Sequence, residues 1–391
     1  MAHLTKPELY DIEDCNIALL GSDLEKRVRE HAGDKEPVWE SAGLAPGTQI
    51  WRVERFKIIP WPEERKGSFY SGDSYIVLHT YKKDPNSEQL SYDLHFWLGQ
   101  ETTQDEAGTA AYKTVELDDH LHGAPVQYRE LQGYESPRFL SYFRNFVTLR
   151  GGISTGFHHV SSPPPLDVHK LYHIKAIATG SSVHGSQFII REVAPHVDSI
   201  RKAEGDVLVL DKGAQIWQFN RKGSAGKERF RAAEFIRSIV EERQKTSKWK
   251  SVATAVFDED GAGAGTFLAD LGTDALSISE TMSASRSTSS PALFRISDAT
   301  GAFQVAPVPA SPPRLTDLST SDVFILDDTG NPDAPVLYAW VGREANAEER
   351  RLGVSFGLRY IARKEGNARK LTVVKVNEGK ESDEFLRVME A

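Results

Sequence analysis

Three pairs of carboxylates recur along this chain in the same setting. Asp73, Asp206 and Asp322 each follow a small residue (Gly72, Gly205, Ser321) and open an apolar run of strand length: GDSYIVLHTY, GDVLVLDKG and SDVFILDDTG. Glu106, Glu228 and Glu349 each sit near the head of the helix-like segment that follows. A single Asp at a strand start is a common turn residue, and a single first-turn Glu is a common partner of the helix dipole. The pairing, three times over, points instead to a hard cation. Ca2+ gathers about six to eight oxygens and mixes carboxylates with backbone carbonyls. A Gly or Ser before the Asp leaves its carbonyl free to turn toward an ion. The chain has no Cys/His cluster of the kind zinc selects and no EF-hand loop. The expected affinity is therefore roughly micromolar or weaker.

A further carboxylate stands apart from these pairs. The stretch QDEAGTAAYKTVELDD, residues 104–119, reads as one helix. Its apolar residues Ala107, Ala110, Ala111, Val115 and Leu117 cover an arc of roughly 160°, wider than one core-facing stripe requires. Asp118 projects into that arc, where a core helix would carry Leu or Val. At 1.5 Å per residue, Glu106 and Asp118 lie ~18 Å apart on a continuous helix, so they cannot hold one ion. Asp118 needs a task of its own at the helix C-terminus.

These residues must be positioned by a repeated scaffold. Each Asp-led run is followed by a Trp-containing strand: LHFWLGQ, AQIWQFN and VLYAWVGR. Each is preceded by another strand, in TQIWRVERFKIIP, KLYHIKAIATG and PALFRISDATG. The order strand, strand, strand, helix, strand predicts an α+β unit, a roughly five-stranded mixed sheet flanked by helices. The spacing gives an N-terminal extension over 1–38, domains over 39–160, 161–272 and 292–391, and a Ser/Thr-rich linker over 273–291. The segment VSSPPPLDVHK predicts an extended first linker that could reach roughly 35 Å at ~3.1 Å per residue.

Composition narrows the function classes. Of 391 residues, 47 are basic and 56 acidic, a net charge of −9 that argues against a general nucleic-acid binder. The one cysteine, Cys15, excludes an intramolecular disulfide and has no catalytic signature around it. The polar start MAHLTKPELYDIEDCN does not read as a signal peptide, and no ~18-residue apolar run spans a membrane. The glycine-rich stretch 256–272 lacks the Lys of a phosphate loop and reads as an acidic loop. His120, His122, His158 and His159 read as exposed loop histidines. Basic segment 221–231 reads as a solvated face or a surface for an acidic partner. With no Ser/His/Asp or Cys/His arrangement, the expectation is a binding protein and not an enzyme.

PGTQIWRVERF, GDSYIVLHTY, LSYDLHFWLGQETTQDEAGTAAYKTVELDDHLHGAPVQYRELQGYES and FLSYFRNF resemble the first domain of the gelsolin/villin/severin family over about residues 37–160. The other two repeats resemble its second and third domains, so the chain looks like the three-domain severin/fragmin type. The resemblance implies a calcium-regulated actin-binding protein that severs filaments, caps barbed ends and nucleates. It implies a monomer that works in the cytoplasm on the cytoskeleton and binds both actin monomers and filaments. Helix 104–119 would wedge between the lobes of an actin subunit through Ala107, Ala111, Tyr112 and Val115. An intradomain calcium site would use the carbonyls of Gly72 and Ile153 with Asp73 and Glu106. A second calcium, shared with actin, would use Asp118 and the carbonyls of Gly123 and Pro125. Further sites would use Gly205, Asp206 and Glu228, and Ser321, Asp322 and Glu349. Phosphoinositide control would draw on Arg144, Arg150, Lys170 and Lys175, a sparse set for a polybasic segment. The alternatives are a capper that does not sever, and a calcium-bound scaffold or transcriptional cofactor with partners other than actin.

Overall fold

The structure is a computed structural model that describes residues 36–152, 168–177, 187–201, 205–246, 251–273, 290–297, 304–310, 312–331, 335–345, 354, 357, 360–361 and 371–390. The first repeat contributes strands β1 (Gly47–Glu54), β2 (Lys57–Pro60), β3 (Ser68–Tyr70), β4 (Ser74–Tyr81) and β5 (Ser91–Leu98), helix α1 (Gln104–His120), then β6 (Val126–Leu131) and β7 (Asn145–Leu149). The second contributes β8 (Lys170–Ile177), β9 (Gln187–Val193), β10 (Val207–Asp211), β11 (Gln215–Asn220), helix α2 (Gly226–Thr246) and β12 (Ala253–Asp258). The third contributes β13 (Ala292–Ser297), β14 (Gln304–Pro307), β15 (Val323–Asp328), β16 (Val336–Val341), β17 (Thr372–Asn377) and helix α3 (Asp383–Glu390).

The predicted order recurs in all three. An opening strand pairs antiparallel with the Asp-led strand, which pairs antiparallel with the Trp strand (β1–β4–β5, β8–β10–β11, β13–β15–β16). The Trp strand then pairs parallel with the strand that follows the crossover (β5–β6, β11–β12, β16–β17). A parallel pair needs a long connection, which α1 and α2 provide in the first two repeats.

The described residues divide into two compact units, with boundaries at 63/64, 72/73, 139/140 and 284/285. One unit holds a ten-stranded sheet, β14-β13-β15-β16-β17-β6-β5-β4-β1-β2. The first and third repeats meet in its middle, where β17 pairs antiparallel with β6 (Val373↔Arg129, Val374↔Tyr128, Lys375↔Gln127). The core of the first repeat gathers Trp51, Ile76, Leu78, Leu94 and Phe96 from the sheet against Ala107, Ala110 and Leu117 of α1. In the third repeat Phe324, Tyr338 and Trp340 pack with Phe385 and Met389 of α3 on one sheet face, while Ile325, Ala339 and Val373 pack with Tyr360 and Ile361 on the other.

The first and third repeats also share a turn that fixes the Trp strand. Trp97 Nε1 donates to Glu135 at 3.3 Å and Trp340 Nε1 to Glu381 at 3.0 Å. Each glutamate also accepts the N–H of the glycine two residues before it, Gly133 or Gly379. The next residue, Ser136 or Ser382, accepts from the N–H of Phe139 or Phe385 through its hydroxyl, and both phenylalanines are fully buried. G-x-E-S followed by a buried Phe is thus a structural signature that links Trp, turn and short helix.

The β1–β2 hairpin turns on two residues with positive φ, Arg55 (47°) and Phe56 (68°), between the pair Glu54↔Lys57. Such a turn favours Asn and Gly because left-handed backbone costs other residues about 1–2 kcal/mol. Arg55→Asn is expected to stabilise this unit by about 0.5–1 kcal/mol, read as a higher urea midpoint at unchanged slope.

The other unit holds a seven-stranded sheet, β12-β11-β10-β8-β9-β7-β3. Its core places Leu208, Leu210, Phe219 and Phe267 on one face and Ile174, Val209, Ile216, Ala232 and Ile236 on the other. The stretch 256–272 is not the acidic loop its glycines imply. It completes β12 and forms a helix, Ala264–Ala269, whose Phe267 stacks on Phe219 at 4.5 Å. Burial of Phe267, Leu268 and Leu271 outweighs the low helix propensity of the glycines around them.

Candidate cation sites and the seam between the first and third repeats

Helix α1 begins at Thr103, whose hydroxyl accepts the Glu106 N–H at 3.2 Å. That cap sets Glu106 on the first turn, 5% exposed, near the start of β4 in the same core. Asp73, fully buried, accepts from the Tyr75 hydroxyl at 3.2 Å and lies 3.5 Å from the Arg52 guanidinium. Thr102 donates to Glu106 at 3.4 Å. Gly72, in the other unit, donates its N–H to Gly151 at 2.7 Å, and a Cβ there would meet that carbonyl at 2.8 Å, so only glycine fits. Ile153 lies outside the described residues, as does Glu349.

In the second repeat burial pushes the Asp206 carboxyl up from its ordinary range, with Lys175, 3.8 Å away, pulling against it. Gly205 supplies the positive φ (75°) that turns the chain into β10. Glu228 is held by two backbone donors, the N–H groups of Ala176 and Ala225, both at 2.9 Å. In the third repeat Asp322 pairs with Arg295 at 2.7 Å, and the Ser321 hydroxyl bonds to Asp322 at 3.3 Å. Asp73, Asp206 and Asp322 therefore each face a basic side chain from the opening strand of their own repeat. Lys175 and Arg295 are more than half exposed, so these arms can swing away. The oxygen-rich donor sets suit a hard cation.

The C-terminus of α1 is built differently. Leu121 N–H returns to Leu117 and Gly123 N–H to Asp118 at 2.9 Å, with His122 (φ 59°) and Gly123 (φ 69°) in the left-handed region. This closure of the helix end brings the Gly123 carbonyl to the same side as Asp118. Asp118 is 5% exposed, and its Oδ1 is buried without a hydrogen-bond partner. Its Oδ2 accepts from Lys375 of β17 at 3.3 Å. Asn377, two residues on, donates its side-chain amide to the Gly123 carbonyl at 3.0 Å. Burial pushes the Asp118 carboxyl up, and Lys375 pulls it down less strongly. A cavity of about 500 Å³ beside them is lined by Val115, Asp119, His122, Gly342, Arg343 and Glu378, among others. Pro125, buried, leads directly into β6. An orphaned carboxylate oxygen beside a carbonyl held by a replaceable amide fits an oxygen-ligated cation.

The candidate contact face of α1 needs one correction. Ala107 is 1% exposed and sits in the core of the first repeat, because positions 107, 110, 114 and 117 face the sheet. It presents no surface to a partner. Ala111 packs at the rim of that core, and Tyr112 and Val115 are half-buried, with Val115 on the cavity. Lys113, which sequence reasoning passed over, is fully buried between Glu36 (2.9 Å) and Glu116 (3.0 Å), while Trp39 Nε1 donates to Glu116 at 2.7 Å. The segment after residue 35 is thereby strapped onto α1. Its sequence signal was the Lys/Glu pair at i,i+3. Lys375 and Asn377 carry no local signal of any kind.

The four basic residues considered for lipid contact all lie in the second unit. Arg144 and Arg150 are exposed, whereas Lys170 lies 3.4 Å from Glu192 and Lys175 faces Asp206. His120 and His122 are exposed at the α1 terminus as expected, and His158 and His159 lie outside the described residues. On α2, the aromatic ring of Phe230 stands 64% exposed among Lys227, Arg229 and Arg231.

Comparison with known proteins follows the same lines. The gelsolin repeat family model matches residues 60–140 and 305–386. Gelsolin-like protein 1 of Lumbricus terrestris is 41% identical over 342 residues, covering 87% of this chain and 86% of that protein. Gelsolin-like protein 2 of the same organism is 37% identical, covering 91% of each. Severin of Echinococcus granulosus is 31% identical, covering 92% of each. Three relatives that align over 86% or more of both chains, together with the repeated strand, Trp and turn scaffold, place the chain in the gelsolin/villin/severin family.

Proposed function

We propose that this chain is a calcium-regulated actin-binding protein that caps barbed ends and severs filaments, acting in the cytoplasm. What carries the reading is the position of Asp118 and Gly123. The residues that would hold a calcium jointly with actin sit at the end of α1, and in this form they lie beneath β17 of the third repeat. The surface proposed to meet actin is therefore assembled but covered.

Severing in this account breaks no covalent bond. The second repeat, through the basic face of α2 and exposed Phe230, holds the side of a filament. The first repeat, delivered by the tether, then inserts α1 between subunits. Two weak tethered sites gain by effective concentration what neither has alone. Calcium, when bound, supplies positive charge that joins carboxylates of the two partners. The chain's own part is to orient them: the α1 closure fixes the Gly123 carbonyl, the Thr103 cap fixes Glu106, and Tyr75 fixes Asp73. Binding that favours the open arrangement shifts the population toward it.

Fluorescence microscopy of single filaments tests the reading. With calcium, filaments are expected to break along their length and to stop growing at barbed ends. Arrested growth without breaks would reduce the activity to capping, and unchanged filaments would refute an actin-directed function.

A further inference from the structure

We infer that Lys375 is a built-in substitute for calcium at the Asp118 site, and that the ammonium and the ion exclude one another there. The inference rests on the reading above that Asp118 and Gly123 hold the shared ion.

β17 alternates as a strand should: Val374 and Val376 enter the core shared with α3, while Val373, Lys375 and Asn377 face the other way. Lys375 is only 5% exposed, at a place where packing alone would favour an apolar residue. Burying a lone ammonium is costly, and burying a lone carboxylate equally so. Here each charge offsets part of the other's cost, because Lys375 Nζ lies 3.3 Å from Asp118 Oδ2. Asn377 does the same for the second ligand by donating to the Gly123 carbonyl. One strand thus presents a cation to the carboxylate and a donor to the carbonyl, the two interactions that one calcium ion would make. Asp118 Oδ1 stays unpartnered, as expected where an ammonium serves a site built for more ligation.

The consequence is exchange. Calcium at Asp118 would place two cations on one carboxylate, and among the described residues Asp118 is the one carboxylate that Lys375 pairs with. Its backbone is in register with Gln127 of β6, so the charge that calcium would displace is anchored on the strand that forms the seam. Ion binding and the seam between the first and third repeats are then mutually exclusive states, linked by a coupling free energy.

Small-angle X-ray scattering against free calcium, with no actin present, reads the seam directly as the radius of gyration. In K375M the calcium concentration for half-expansion is expected to fall about tenfold, within the usual range of such couplings. K375R, which keeps the charge, should stay within about twofold of the parent. In a D118N background K375M should produce no shift, since the exchange needs the carboxylate. An unchanged midpoint in K375M, or the same shift in the D118N background, would overturn the inference. So would a K375M chain already expanded in chelator, which would make Lys375 a clamp that does not trade with calcium. Barbed-end capping at saturating calcium is measured alongside and should be equal in K375M and parent. Loss of capping in both with the scattering shift intact rejects the actin reading alone, while capping in both without the shift rejects the exchange alone.

Discussion

Asp118→Asn is expected to weaken barbed-end capping in calcium by at least tenfold, about 1.4 kcal/mol or more. The substitution keeps the shape but replaces one acceptor oxygen with a donor amide and removes the charge that a shared ion would neutralise. The helix end should survive, because its closure runs through backbone bonds from Leu121 and Gly123 to Leu117 and Asp118. The variant also leaves Lys375 buried without its carboxylate, which weakens the seam without opening it in chelator. A variant that exposes α1 more readily and yet caps less well would separate masking from binding. Titrating barbed-end elongation from filament seeds gives the affinity, and equal capping by D118N and parent would remove the shared ion from the account.

Trp97→Ala is expected to cost about 3–5 kcal/mol of stability in the unit that contains both the first and third repeats. Trp97 is fully buried on β5, packs edge-on against Tyr75 at 5.7 Å and donates to Glu135. Truncation opens a cavity and removes one of the donors to the half-buried Glu135. It also slackens the turn that holds Gly133 and the start of the short helix after Ser136. Because β5 pairs parallel with β6, and β6 antiparallel with β17, the loss should spread to the seam. Hydrogen exchange followed along β4, β5, β6 and β17 measures it. Protection lost on β5 alone, with β17 untouched, would contradict the mechanical continuity of the ten-stranded sheet.

The repeats were legible in the sequence because their signals are local. A small residue, an Asp and an apolar run mark a strand start within ten residues, and the Trp strand and Glu-headed helix follow at short range. Helix 104–119 was likewise legible, from its wide apolar arc. Ala107 was misjudged because an arc of roughly 160° does not say which edge meets the sheet. The burial of Ala110, Thr114 and Leu117 settles the phase. The seam was not legible. β17 reads TVVKVN, an ordinary alternating strand, and nothing in its period names β6 as a neighbour some 245 positions earlier, a pairing set by long-range register. Lys375 looks in sequence like a solvent-facing lysine and gains its meaning only opposite Asp118. The helix within 256–272 was hidden by its glycines for a similar reason, since tertiary burial of Phe267 decides it.

Depolymerisation of filaments diluted below their critical concentration tests the central claim most directly. In calcium, substoichiometric protein should first accelerate the loss of polymer, through new ends made by severing, and each new barbed end should then be capped. In chelator the same protein should leave the decay at the rate of actin alone. Identical decay curves in calcium and chelator would contradict a calcium-gated, actin-directed surface at the end of α1.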